Sequence, residues 1–355
     1  MNIVKLIPAY KSIIWGGNKL INEYGKQTNL SPLAETWELS FHKDGASFIE
    51  DGRPLCEVVT EKDLGDNCKG FDFFPVLVKF IDAQDKLSVQ VHPSDNYALK
   101  YENSLGKTEM WYIVDAEEGA GIYLGFKKDI TREEFEKAIE EKTLTDYLRF
   151  VPVKKGESYF IPSGTIHAIC AGCLICEIQQ NSNITYRVYD YGRRDKNGNE
   201  RELHVQKALD VTNTKVVESK ELNILTSEGA LKGANKFFNA SYLEIDGERA
   251  FATDSGSFRC FTVLEGEGMI GNVPVNKGES VFVPANYDNF TATGKFCAIL
   301  TTIRKYYKKV NELECSIEND LGDVLASATA LAKDEIPTTI SALMTSCGLK
   351  ESDFE

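Results

Sequence analysis

Several features that would mark other protein classes are scarce in this sequence. No apolar run approaches the ~20 residues a membrane helix needs, so a membrane-spanning chain is not expected. Basic residues are outnumbered, with 40 Lys and Arg against 54 Asp and Glu and a formal net charge of −14. A protein that wraps nucleic acid needs a net basic surface, so that class is excluded. A small phosphorylated ligand is not, because a few lysines and arginines can build a local positive pocket. The N-terminal stretch has no small-residue cleavage site, and Pro8 and Lys11 interrupt its apolar residues, so it does not read as a signal peptide. Histidine is rare: His42, His92, His167 and His204 are all there are. The nine cysteines are odd in number and scattered. Free thiols in a reducing cytoplasm are the expectation. Cys170, Cys173 and Cys176 form a C-x2-C-x2-C run without a fourth ligand nearby, and read as buried core thiols.

What is present suits a folded protein of two or three domains. Hydrophobic residues make up 42% and charged residues 26%, which excludes global disorder and a coiled-coil rod. Most of residues 1–305 reads as short β-strands. Runs at 74–81, 86–92, 110–116 and 158–163 are rich in β-branched and aromatic residues, with Gly, Asn, Asp and Pro between them. Thr131 and Glu134 form a capping box. Phe135, Ala138 and Ile139 follow at helical spacing, then Leu144, Tyr147 and Leu148, so about 131–150 is expected to be a helical insertion. Beyond 306, Leu321, Val324, Leu325, Ala328 and Leu331 are helically spaced. Pro337 breaks that run, and Thr338 or Thr339 could cap a last helix through Ile340, Leu343 and Met344 that closes at Gly348.

An internal repeat is the strongest structural signal. The segment from Gly156 through Pro162 to His167 reads G-E-S-x-F-[IV]-P. The segment from Gly278 through Pro284 to Asn289 reads the same. Upstream, Val114 aligns with Val263, an offset of 149 that puts Phe258 where Glu109 stands. The expected fold is mainly β: two related β-barrels, the first with the helical insertion and the chain ending in a helical tail. The expected domains are 1–240 (catalytic and metal-binding), 241–305 (metal-free) and 306–355 (an acidic helical extension).

The candidate chemistry lies in the first repeat. Side chains alternate along a strand, so Ser88, Gln90 and His92 share a face, as do Lys107, Glu109 and Trp111. A barrel interior that gathers Gln90, His92, Glu109 and His167 suits one divalent ion per chain with open positions. Zn²⁺ is the first choice, and Fe²⁺ also favours two histidines and a carboxylate. The second repeat keeps the turn and loses these ligands.

These residues carry a family resemblance. G-x5-P-x-G-x2-H at 156–167 resembles the second cupin motif, and His92 and Glu109 resemble the first. Within the cupins the chain resembles the short bacterial type I mannose-6-phosphate isomerases. The likeness lies in Trp15-Gly-Gly, Glu35-Thr-Trp37-Glu38-Leu-Ser40, Ser88-Val-Gln90-Val-His92-Pro93, Lys107-Thr-Glu109 and the stretch from Gln179 to Arg193 that contains Tyr186-Arg187-Val-Tyr189. The resemblance implies zinc held by His92, Glu109 and His167. Gln90 is then a fourth ligand or the partner of a bound water. It also implies that Arg187 is an active-site residue, and that Lys79 and Ser88 are phosphate candidates.

The implied reaction moves a proton between C1 and C2 of a sugar phosphate through an enediol. An arginine that stays protonated can stabilise the oxyanion, and Arg187 is given that role. Lys107 is a candidate base through a lowered pKa, or equally a phosphate anchor. Lys79 could instead snorkel to a barrel edge, and Ser88 could be a plain strand residue. The competing functions are glucose-6-phosphate isomerisation, non-haem iron oxygenation and non-catalytic sugar binding.

Overall fold

In the computed structural model, residues 1–346 are described apart from 196, 217–222, 226–228, 231–236, 312, 320–323 and 331. The protein is mainly β. The chain forms two compact units: one comprises 8–47 and 76–225, the other 1–7, 48–75 and 226–355.

The unit containing 76–225 holds two antiparallel sheets. The larger runs Asn223–Leu225, Glu157–Ile161, Glu109–Ala116, Cys173–Gln180, Val76–Ala83, Glu35–Leu39 and Ala9–Lys11. The smaller runs Tyr186–Tyr189, Val89–Val91, His167–Ile169, Gly121–Phe126 and Leu148–Pro152. These are open sheets in place of the expected closed barrel. Between them lies an apolar core with Ile81, Trp111, Ile113, Tyr159 and Ile175 from the larger sheet and Ile122, Leu124 and Ile169 from the smaller. Val76–Ala83 and Cys173–Gln180 are buried along their whole length, which explains their near-continuous apolar sequences. Cys170, Cys173 and Cys176 are buried and form no disulfide.

The expected insertion is helical over Arg132–Glu140 only. Thr131 Oγ1 accepts from the Glu134 amide at 3.1 Å, and Glu134 Oε2 accepts from the Thr131 amide at 2.7 Å. A single 3₁₀ turn follows at Leu144–Asp146, and Leu148 already belongs to the strand Leu148–Pro152. Phe135, Ala138 and Ile139 pack on Val89, Val91, Ala168, Tyr186 and Val188. By strand alternation those residues lie on the face opposite Gln90, His167 and Arg187. The helix therefore backs the smaller sheet and does not wall the site.

The other unit is built on a sheet ordered Gly229–Ala230, Asn239–Phe251, Phe290–Thr302, Arg259–Ile270, Ser280–Val283, Val4–Ile7 and Phe48–Ile49. Its register corrects the repeat by one residue. Ser158 faces Tyr112, and its counterpart Ser280 faces Thr262. The strand irregularity that skips Val114 in one repeat skips Leu264 in the other. Val114 thus corresponds to Leu264, and the counterpart of Glu109 is Arg259 rather than Phe258.

The expected helix through Val324, Leu325 and Ala328 is instead the strand Val324–Thr329, paired with Glu314–Asn319, which in turn pairs with Tyr306–Asn311. A short apolar run fits either period, and cross-strand pairing decided it. Leu321, Leu331 and Gly348 lie outside the described residues. The last helix is Ile336–Ser346 and includes Pro337 in its first turn, where a missing N–H costs nothing. Ile340, Leu343 and Met344 cover Cys315 and Ile317.

Candidate active site

The smaller sheet brings Gln90 opposite His167, with Arg187 on the neighbouring strand also opposite Gln90. Glu109 begins a strand of the larger sheet. The ligand atoms of His92, Glu109 and His167 lie within 4.8 Å of one another, and all three residues are buried. His92 Nε2 is 3.2 Å from Glu109 Oε1, and His167 Nε2 is 3.7 Å from Oε2.

The backbone sets the tautomers. His92 Nδ1 is 2.8 Å from the Ile184 carbonyl, and His167 Nδ1 is 2.9 Å from the Thr165 carbonyl. A carbonyl only accepts, so each Nδ1 carries the proton and each Nε2 presents a lone pair. Burial, reinforced by the Lys107 ammonium, pushes His92 down to about 3, and burial lowers His167 as well. Both rings are neutral near pH 7. Burial opposes the Glu109 carboxylate, yet Lys107 and the two rings hold it well below the usual range. Glu109 Oε2 accepts no hydrogen bond, and Oε1 has the Lys107 ammonium 2.6 Å away. Two imidazole lone pairs converging on a charged, under-bonded carboxylate form a donor set that fits a divalent cation. Gln90 turns its amide nitrogen to His167 Nε2 at 3.5 Å, while its oxygen accepts from Ser88 Oγ at 3.2 Å.

Beside this set lies a cavity of about 290 Å³, lined in part by Lys79, Ser88, Gln90, Lys107, Glu177 and Arg187. Of the residues read from the sequence, Lys79, Ser88, Gln90, Lys107 and Arg187 line this cavity, while His92, Glu109 and His167 do not line it but lie against Lys107 and Gln90. Lys107 Nζ is 2.6 Å from Glu109 Oε1 and 3.3 Å from His92 Nε2. Burial disfavours its charge, but Glu109 and Glu177 raise its pKa above the ordinary lysine value, contrary to the expected lowering. Arg187 Nε donates to Ser88 Oγ at 3.3 Å, and Nη1 to the Glu202 carbonyl at 2.9 Å. Lys79 does not snorkel. It is buried, with Nζ 3.5 Å from Glu177 Oε2, 3.6 Å from Glu35 Oε2 and 4.9 Å from the Trp37 ring centre.

Sequence reasoning missed Glu177. It belongs to a row crossing four strands, in which Trp37 pairs with Lys79, Lys79 with Glu177, and Glu177 with Trp111. Burial, then the nearby charge of Glu109, pushes its carboxyl up to about 7. The available signal was an acidic residue inside the apolar run Cys173–Gln180. Arg201, also on the cavity wall, was missed because it lies in a polar loop.

An antiparallel β architecture with an imidazole–carboxylate–imidazole set that could hold a metal ion, beside a charged cavity, is the pattern of the cupin class. Residues 3–123 match the model of the type I phosphomannose isomerase catalytic domain, and 230–303 match the mannose-6-phosphate isomerase cupin domain. A protein named as a probable mannose-6-phosphate isomerase of Bacillus subtilis is 37% identical over 303 residues, 81% of this chain and 95% of that one. The mannose-6-phosphate isomerase of Streptococcus mutans is 36% identical, over 76% of this chain and 89% of its own. The crystal structure of a Bacillus subtilis mannose 6-phosphate isomerase superposes with a TM-score of 0.77 at 34% identity, covering 85% of this chain and 99% of that one. The chain belongs to the type I mannose-6-phosphate isomerase family.

Proposed function

We propose that the protein interconverts mannose-6-phosphate and fructose-6-phosphate, with one zinc ion held by His92, Glu109 and His167. The observation that carries this is the meeting of a neutral-imidazole and carboxylate donor set with a cavity that offers Lys107, Glu177 and Arg187. A zinc ion bound there would polarise the sugar oxygens. Glu177 is poised near neutrality, so it can take a proton from one carbon and return it to the neighbour. Lys107, kept protonated by Glu109, donates to a sugar oxygen rather than serving as the base. Arg187 meets the negative charge that develops on the enediolate. Lys79 and Ser88, with Arg201 on the same wall, supply the phosphate contacts. Gln90 links Ser88 to the donor set.

The matching register of the two repeats supports reading each unit as a version of one jelly-roll. A pure sugar binder would need no such donor set. A coupled assay of mannose-6-phosphate conversion to fructose-6-phosphate, with glucose-6-phosphate as control and metal content measured in parallel, tests the proposal. Stoichiometric iron with no isomerisation would point to oxygenase chemistry instead. Conversion of glucose-6-phosphate alone would reassign the substrate.

A further inference from the structure

In the second repeat, the position that corresponds to Glu109 holds the opposite charge. Arg259 faces Val283 as Glu109 faces Ile161. Asn289 takes the place of His167 in the shared motif. His167 faces Gln90, while Phe290, next to Asn289, faces Phe251. By that register residue 252 takes the place of Gln90, and Asp254 that of His92.

Arg259 shares a strand face with Phe261 and Val263 of the apolar core, and is only 6% exposed. Arg304 is buried nearby. Both reach one carboxylate: Arg259 Nη2 lies 3.4 Å from Asp254 Oδ2, and Arg304 Nη1 3.3 Å from Oδ1. Charge-assisted bonds are normally about 2.7–2.9 Å, so both pairings are slack. Asp254 Oδ1 also accepts from the Gly256 amide at 2.7 Å, which divides its charge further. Arg259 Nη1 is buried with no hydrogen-bond partner. A buried guanidinium with an unused donor beside a second guanidinium is a costly arrangement for the folded chain alone. An anion would relieve it. Asp254 is 28% exposed and gives the cluster its edge on solvent.

We infer that Arg259 and Arg304 form a binding site for a small oxyanion, a phosphate or phosphomonoester, with Asp254 as its electrostatic competitor. The guanidinium fork suits phosphate oxygens, and Arg259 has a donor in hand for them. Burial and the Arg304 charge weaken the proton affinity of Arg259, opposed by Asp254, which shows how little negative charge it has locally. The site shares no residue with the cavity of the isomerase reading and does not depend on that reading.

The test is calorimetric titration of the metal-loaded enzyme with inorganic phosphate. Inhibition of turnover by phosphate gives the active-site affinity independently. A second binding event is expected, weakened about tenfold or more by Arg259→Gln, since a charged hydrogen bond is lost. Asp254→Asn is expected to tighten it several-fold, a gain that misfolding cannot mimic. Neither substitution should alter kcat or KM for mannose-6-phosphate. Glycerol phosphate distinguishes the source: binding with the same sensitivity identifies an ester site, and its exclusion identifies a free-phosphate site, both consistent with the inference. One phosphate per chain, or a second event indifferent to both substitutions, overturns it.

Discussion

The indole N–H of Trp111 donates to Glu177 Oε1 at 2.9 Å from the directly opposite position on the adjacent strand. The same indole meets the His167 ring edge to face, with centres 5.4 Å apart. One side chain thus touches both the carboxylate proposed for proton transfer and an imidazole of the proposed metal site. Trp111→Phe removes the donor but keeps most of the volume. Losing a hydrogen bond to the charged form moves the Glu177 pKa further up. The alkaline shift of the acidic limb of the kcat profile checks this, with metal content unchanged.

Glu177 also makes a stability prediction. Its folded pKa of about 7 lies above the ordinary 4.5, so the folded state holds a proton that the unfolded state releases. This group therefore weakens stability as pH rises from about 4.5 to 7, the reverse of a salt-bridged carboxylate. Glu177→Gln removes that slope. The variant is expected to be more resistant to urea than the parent at pH 8, and equal to it at pH 4. Its kcat is expected to fall by about 10²–10⁴, the usual contribution of a positioned acid–base group.

Arg187→Ala is expected to lower kcat by about 10²–10³ and leave the metal in place. An anchor whose partner's charge does not change along the reaction affects mainly KM, and Lys79→Met should show that pattern. Steady-state kinetics separates the two. An unchanged kcat with a raised KM for Arg187→Ala would make it a binder.

Removing the metal with a chelator should abolish turnover and lower Tm, because His92, Glu109 and His167 are drawn from three separate strand regions that the ion would tie together. Zinc should restore both. Elemental analysis of Glu109→Gln should show metal lost with the fold retained by circular dichroism.

Phe135→Ala tests the placement of the helix Arg132–Glu140. The ring is fully buried against Phe126, with centres 5.5 Å apart. Truncation should cost about 3–5 kcal/mol of stability. Since the helix backs the smaller sheet, kcat for the folded fraction should stay at the parent value. A helix lining the cavity would lose both.

Short-range patterns were enough to read His92, Glu109, His167, Gln90 and Lys107 from the sequence. Strand alternation and turn spacing are local rules, and each of these residues lies in a local motif. The capping box at Thr131 was legible for the same reason. Which face of a sheet the helix would cover was not, because its apolar stripe fits any apolar surface. The tail strand Val324–Thr329 was misread because a short apolar run takes its structure from its partners. The row Trp37, Lys79, Glu177 and Trp111 joins residues from four strands scattered between positions 35 and 180. Only cross-strand register makes them neighbours, and burial between those strands, followed by the charge of Glu109, raises the Glu177 pKa. The one-residue skips at Val114 and Leu264 likewise decided that Arg259 answers to Glu109. A strand irregularity carries no composition signal, so the charge reversal between the repeats was decided by the tertiary structure alone.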